Sequence, residues 1–272
     1  MILTYTLLIL YLIIILIITL IIIYTQTSHR NYLRRSLPIQ TCAFSKTNHH
    51  VIQTYGNIPP NTEGLISYCL FGNYSRYINT LYNSIINIST LMSNWYPRIY
   101  VAIDIPTDIL NKLLSYNVQV YIVGPNKPMG YEAALWRYYP ASETLPFVSL
   151  DADDLFDFSI SNNIKNWMKS NKIFATFAKH GFIVPLDAGK WGAKPINNKA
   201  IFPNIQNDIN SYCEYWFGFD EAYLKNKIWP LFQQYGYYQC PQQYFLSELT
   251  IILIVIILSL MTYTIYLSTI IQ

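Results

Sequence analysis

The 272-residue chain has a net charge of +3, from 18 Lys and Arg against 15 Asp and Glu, and 52% of it is hydrophobic while only 12% is charged. So small a charge, with no basic stripe interleaved with aromatics, argues against nucleic acid as a partner. The cysteines Cys42, Cys69, Cys213 and Cys240 form no C-x-x-C pair, which argues against a structural zinc module.

The chain begins with an uncharged run, Ile2 to Tyr24, dominated by Ile and Leu. It ends with a similar run from Leu249 to Ile271. Each is about 23 residues, enough to cross roughly 30 Å of hydrocarbon as a helix. The sequence therefore predicts transmembrane helices over 1–24 and 249–271, and a multi-pass membrane protein with two spans. A cleaved signal peptide is the rival reading of the first run, but the run is long and no Lys or Arg precedes it. His29, Arg30, Arg34, Arg35 and Lys46 follow it, and the positive-inside rule then puts the intervening domain in the cytosol. Asn73-Tyr-Ser75 and Asn87-Ile-Ser89 match the glycosylation acceptor pattern and keep the lumenal side open.

Residues 25–62 are polar, contain Pro38, Pro59 and Pro60, and read as a stalk or linker. One domain is expected over 63–245. Leu65-Ile-Ser-Tyr-Cys-Leu-Phe71 reads as its first buried strand, with Gly72-Asn73 forming the loop at the carboxyl end. From Arg76 to Ser93, apolar residues recur near the 3.6 period of an amphipathic helix. Arg98 to Ile103 is a second strand with Asp104 at its end, and a helix starts at Pro106. Val118 to Val123 is a third strand. This β-α-β-α-β order predicts a Rossmann-like, mostly parallel sheet flanked by helices. A short helix from Tyr131 to Tyr139 carries Trp136 and Arg137. Further on come a helix from Ser159 to Ser170, a strand from Ile173 to Phe177, a Gly-rich turn through Gly189-Lys-Trp-Gly-Ala-Lys194, and a last helix from Asp220 to Gln234.

The stretch Leu145-Pro-Phe-Val-Ser-Leu-Asp-Ala-Asp-Asp-Leu-Phe156 is the most informative. An apolar strand ends abruptly in Asp151, Asp153 and Asp154. Ligands of open α/β sheets bind beyond the carboxyl ends of the strands. Asp151 and Asp153 are two apart, so in extended backbone they share a face. Two hard oxygen ligands on one face suit Mg²⁺ or Mn²⁺, which complete their shell with water and substrate phosphates. The same aspartates also suit a strand-end turn and a helix cap.

Taken together, the order of signals resembles a glycosyltransferase domain family of large DNA viruses, bacteria and some protists. The matching stretches are Leu70-Phe-Gly-Asn73, Trp136-Arg-Tyr-Tyr-Pro140, Leu150-Asp-Ala-Asp-Asp154 and Trp167-Met-Lys-Ser170. They continue with Lys179-His180, Ala188-Gly-Lys-Trp-Gly-Ala-Lys194 and Asp220-Glu-Ala-Tyr-Leu-Lys-Asn-Lys-Ile-Trp-Pro230. The resemblance covers about residues 64–232. It departs at Leu150, where the family has Arg, at Ala178-Lys179, where it has Arg-Asp, and at Glu221, where it has Gln.

The resemblance implies a GT-A-type fold and a nucleotide-sugar donor. It implies a metal, Mn²⁺ or Mg²⁺, held by Asp151 and Asp153, with His180 as a candidate third ligand. Gly72, Asp104, Arg137 and Lys194 are candidates for contacts to the donor's nucleotide, phosphates or sugar. Asp220 is the candidate general base toward an acceptor hydroxyl on a glycan, lipid or protein. Plain structural roles stand beside each: a turn for Asp104, an ion pair for Arg137, a solvated loop for Lys194, a helix cap for Asp220. The expected function is that of a membrane-anchored, metal-dependent glycosyltransferase. The alternative is a degenerate membrane protein that keeps the fold as a binding or scaffold module.

Overall fold

The computed structural model describes residues 39, 41, 48–128, 131–177, 186, 188–212 and 215–240. The chain divides into one unit, Met1–Cys240, and a second, Pro241–Gln272, which lies outside the described residues.

The expectation of two transmembrane helices, and with it a two-span membrane localisation and the membrane as a partner, needs correction. Among the described residues no helix is long and apolar enough to cross a membrane. The segments 1–24 and 249–271 themselves lie outside the described residues. The longest described helix has 18 residues and exposes Arg76, Asn79, Asn83 and Thr90 along one side, a pattern made for a sheet on one face and water on the other.

The strands are β1 (His50–Tyr55), β2 (Gly64–Leu70), β3 (Trp95–Ala102), β4 (Gln119–Gly124), β5 (Phe147–Leu150), β6 (Phe174–Thr176), β7 (Lys190–Ala193) and β8 (Tyr237–Gln239). They form one sheet in the order β1-β4-β3-β2-β5-β7-β6-β8. Its centre, β4-β3-β2-β5, is parallel. β1 joins β4 antiparallel, and β7 lies antiparallel to both β5 and β6. The sheet is therefore mixed, a parallel centre with antiparallel flanks. β1 falls inside the stretch that reads as a linker, and β7 inside the stretch that reads as a turn.

Every residue of β2 and β3 is buried, as expected of central parallel strands covered on both faces. The period of two sorts them into two cores. Ile66, Tyr68, Leu70, Ile99, Val101, Val120 and Ile122 face one side. There they meet α1 (Tyr74–Leu91), through Ile78, Leu81, Ile85 and Ile88, together with α2 (Thr107–Leu114) and α3 (Phe158–Lys169). Leu65, Cys69, Tyr96, Tyr100 and Val123 face the other side. That side is closed by a 3₁₀ segment, Tyr131–Ser142, by α4 (Ile205–Asn210) and by α5 (Phe219–Tyr223). After α5 the chain continues through a π-helical stretch, Leu224–Ile228, into α6 (Trp229–Tyr235).

The connections set the position of the site. From β2 the chain steps outward through β3 to β4, then returns to place β5 on the opposite side of β2. The strand order reverses between β2 and β5. A crevice opens at such a point, beyond the carboxyl ends of the two strands.

Candidate active site

A cavity of about 460 Å³ lies at that reversal point. The end of β2 contributes Cys69, Phe71, Gly72 and Asn73; the end of β5 contributes Asp151, Ala152 and Asp153. The 3₁₀ segment supplies Tyr131, Ala134 and Arg137, the start of α5 supplies Asp220 and Glu221, and α1 supplies Arg76 and Tyr77.

Arg137 is the hub. Its guanidinium is almost fully buried, and it donates Nη1 to Asp151 Oδ1 at 2.6 Å and Nη2 to Asp220 Oδ2 at 2.9 Å. Nη1 also lies 3.6 Å from Cys69 Sγ, and the guanidinium stands over the Tyr138 ring, 5.5 Å from its centroid. One planar fork thus joins the end of β5 to the start of α5, the geometry that distinguishes Arg from Lys. The sequence reading has Arg137 meeting the donor; the structure has it gripping two carboxylates of the chain. Burial disfavours its charge, but Asp151, Tyr138, Cys69 and Asp220 outweigh that and hold it protonated.

Asp151 keeps about a third of its side chain in solvent. Its carboxylate rests against the backbone of Gly189, where an added Cβ would overlap it. The Ala188 carbonyl, accepting from Tyr138 Oη at 3.0 Å and Ser149 Oγ at 3.4 Å, anchors that segment. Asp220 is more enclosed. Its Oδ1 accepts the Glu221 amide at 3.0 Å. Burial raises its pKa above the usual carboxylate value, Arg137 pulls it back in part, and Asp151 adds to the rise. Asp153 reaches outward and pairs with Arg76 at 3.3 Å on the rim. Asp154 pairs with Lys190 at 3.0 Å, and Asp157 is the residue that caps α3, accepting from the Ile160 amide at 2.8 Å.

The remaining candidates separate. Gly72 lines the cavity with φ +70°, a left-handed conformation natural to glycine, and an added Cβ would meet nothing within 4 Å. Asp104 stands beyond β3, where it accepts from Tyr74 Oη at 3.1 Å and pairs with Lys127 at 2.9 Å. Burial pushes its carboxyl up, but those two partners win and hold it below its ordinary value. Lys194 does not line the cavity. Its ammonium donates to the carbonyls of Trp167, Met168 and Ser170 at 2.9, 3.3 and 2.8 Å, which closes the C-terminus of α3. His180 lies outside the described residues.

Sequence reasoning overlooks Gly189, Cys69, Tyr131 and Phe217. The one available signal was the Gly beside Lys190 in the Ala188–Lys194 stretch, where a missing side chain marks a close approach. Among the described residues, no group of three or more His, Cys, Asp and Glu is placed to hold a metal ion. Four carboxylates line the cavity, Asp151 and Asp153 at the end of β5 and Asp220 and Glu221 at the start of α5, and the first two are neighbours on one strand end. Two fit a hard divalent cation of the Mg²⁺ or Mn²⁺ kind, which takes one or two carboxylates and fills its shell with water and phosphate oxygens.

No family model matches the chain, and no curated protein matches it. Among solved structures there is a weak likeness to a glycosyltransferase, the mannosyltransferase PcManGT from Pyrobaculum calidifontis in complex with GDP-Man and Mn²⁺. The TM-score is 0.35 at 11% identity, over 64% of this chain and 51% of that one, so the match spans about half of that protein's length.

Proposed function

We propose that this protein is a glycosyltransferase that moves a sugar from a nucleotide-sugar donor to an acceptor hydroxyl with the help of Mn²⁺ or Mg²⁺. The observation that carries the reading is the convergence of Asp151, Asp153, Arg137 and Asp220 on one cavity at the strand-order reversal. Asp151 and Asp153 would hold the metal, which when bound supplies neutralisation of the leaving diphosphate. Arg137 fixes the rotamers of Asp151 and Asp220 at once, so the two carboxylates keep a set spacing. Asp220 takes the proton of the attacking hydroxyl, a role its burial favours by raising its basicity. Arg76, exposed at the rim beside Asp153, meets donor phosphate oxygens.

A second reading, a non-catalytic binding module, is favoured by one observation. The guanidinium already occupies Asp151 Oδ1 at 2.6 Å. One experiment separates the two: binding and hydrolysis of a panel of nucleotide sugars by the full chain, with and without Mn²⁺. Turnover of a donor that needs Mn²⁺ and is lost in an Asp151→Asn/Asp153→Asn double variant is expected. A folded protein that turns over no donor leaves the binding module.

A further inference from the structure

The cavity has an aromatic lip that the chemistry above does not use. Tyr131 and Phe217 are large apolar side chains left 44% and 59% exposed, and both line the cavity. Their rings meet edge to face, with centroids 5.7 Å apart and planes at 77°. Each therefore braces the other and keeps a face toward solvent. Two such rings at the mouth of a polar cavity leave apolar surface in water, which binding of a complementary face would remove.

The surroundings say which face. Phe217 is three residues before Asp220, and Asp220 and Glu221 line the cavity just behind it. Carboxylates repel a diphosphate but accept hydrogen bonds from neutral hydroxyls. The cation beside Asp220, Arg137, is buried and already shared between two carboxylates, whereas the exposed rim cation, Arg76, sits beside Asp153. The anionic part of a donor is thus drawn to the Arg76 and Asp153 side. The Asp220 side is left for a neutral ligand with many hydroxyls and one apolar face. A pyranose ring has both, since its axial C–H groups line one face and its hydroxyls radiate around the edge. Rings crossed at 77° give a corner rather than the parallel slot that sandwiches a flat base.

We propose that Tyr131 and Phe217 form a platform for the acceptor, and that the acceptor is a carbohydrate whose pyranose stacks there with a hydroxyl turned toward Asp220. The proposal rests on the glycosyltransferase reading and adds its acceptor class, a glycan in place of a bare lipid or protein hydroxyl.

Saturation-transfer NMR on the full chain with a set of methyl hexopyranosides tests it. Glycerol serves as the hydroxyl control without a ring, and uridine and guanosine as base controls. Transfer to ring C–H protons of at least one pyranoside is expected, with none to glycerol. A Tyr131→Ala/Phe217→Ala variant should lose about tenfold in affinity, equivalent to about 1.4 kcal/mol. Phe217→Tyr, which keeps the ring, should retain the signal. No pyranoside transfer in the wild type, unchanged transfer in the double alanine variant, or transfer to the nucleosides that the double variant alone abolishes would each overturn the platform. Nucleotide-sugar binding, measured separately on the wild type, distinguishes the failures. Donor binding without pyranoside binding removes the platform alone, and pyranoside binding without donor binding removes the transferase reading.

Discussion

At the scale of single residues, the site turns on how Asp151 and Asp220 are held. Asp220 is largely enclosed, with 18% of its side chain exposed, and its pKa lies above the unfolded value. The sign follows: protonated Asp220 favours the fold at low pH, and that contribution is lost as pH rises through the raised pKa. Activity has the opposite sign, because Asp220 as the proposed base must be ionised. The acid limb of kcat/KM should lie above the ordinary carboxylate range, and an Asp220→Asn variant should lose both the limb and about 10²–10⁴ in rate. Gly189 carries a second prediction. A methyl there would displace the Asp151 carboxylate. Gly189→Ala should weaken Mn²⁺-dependent donor binding by about tenfold or more while costing about 1–3 kcal/mol of stability, read by calorimetric titration and denaturant melts. The aspartate pair was legible because charge ending an apolar run is a one-dimensional pattern. The role of Arg137 was not, because its partners lie 14 and 83 positions away along the chain and only the fold brings them together.

Among elements, the strongly periodic ones were readable. β2, β3, β4, β5, α1 and α3 all appear within a few residues of where apolar spacing puts them. β7 was not, because Gly189 and Gly192 punctuate it like a turn. Its strand geometry comes from pairing with β5 and β6 on either side, and Gly192 is tucked against the Phe147 carbonyl and the Trp167 ring. The same stretch delivers Lys194 to the end of α3, where it donates to three carbonyls of the helix's last turn and cap. Lys194→Met should therefore lower stability by about 1–2 kcal/mol in urea melts and leave the KM for donor where it was. A large rise in that KM would return Lys194 to the donor site.

For the molecule as a whole, the sheet has an N-terminal border that composition disguised. Residues 50–55 are mostly exposed, so β1 shows little apolar alternation, yet it covers the edge of β4 from Tyr55 opposite Val120 to Val51 opposite Val123. The His49 carbonyl extends that border by accepting from Asn210 at 2.8 Å and Gln206 at 3.3 Å on α4. A chain starting after Tyr55 should melt lower and exchange the amides of 120–123 faster, which hydrogen-exchange mass spectrometry reads directly. The bridge made by Arg137 has a consequence for how metal and fold are linked. In a cage of bare carboxylates, removing the ion sets like charges against one another and the scaffold loosens. Here a guanidinium stands between Asp151 and Asp220, an internal counter-ion that no chelator can extract. Treatment with EDTA should therefore abolish donor turnover while moving the melting temperature of the ligand-free protein by no more than about 2 °C. Loading the site would then be a matter of chemistry alone, uncoupled from whether the chain is folded.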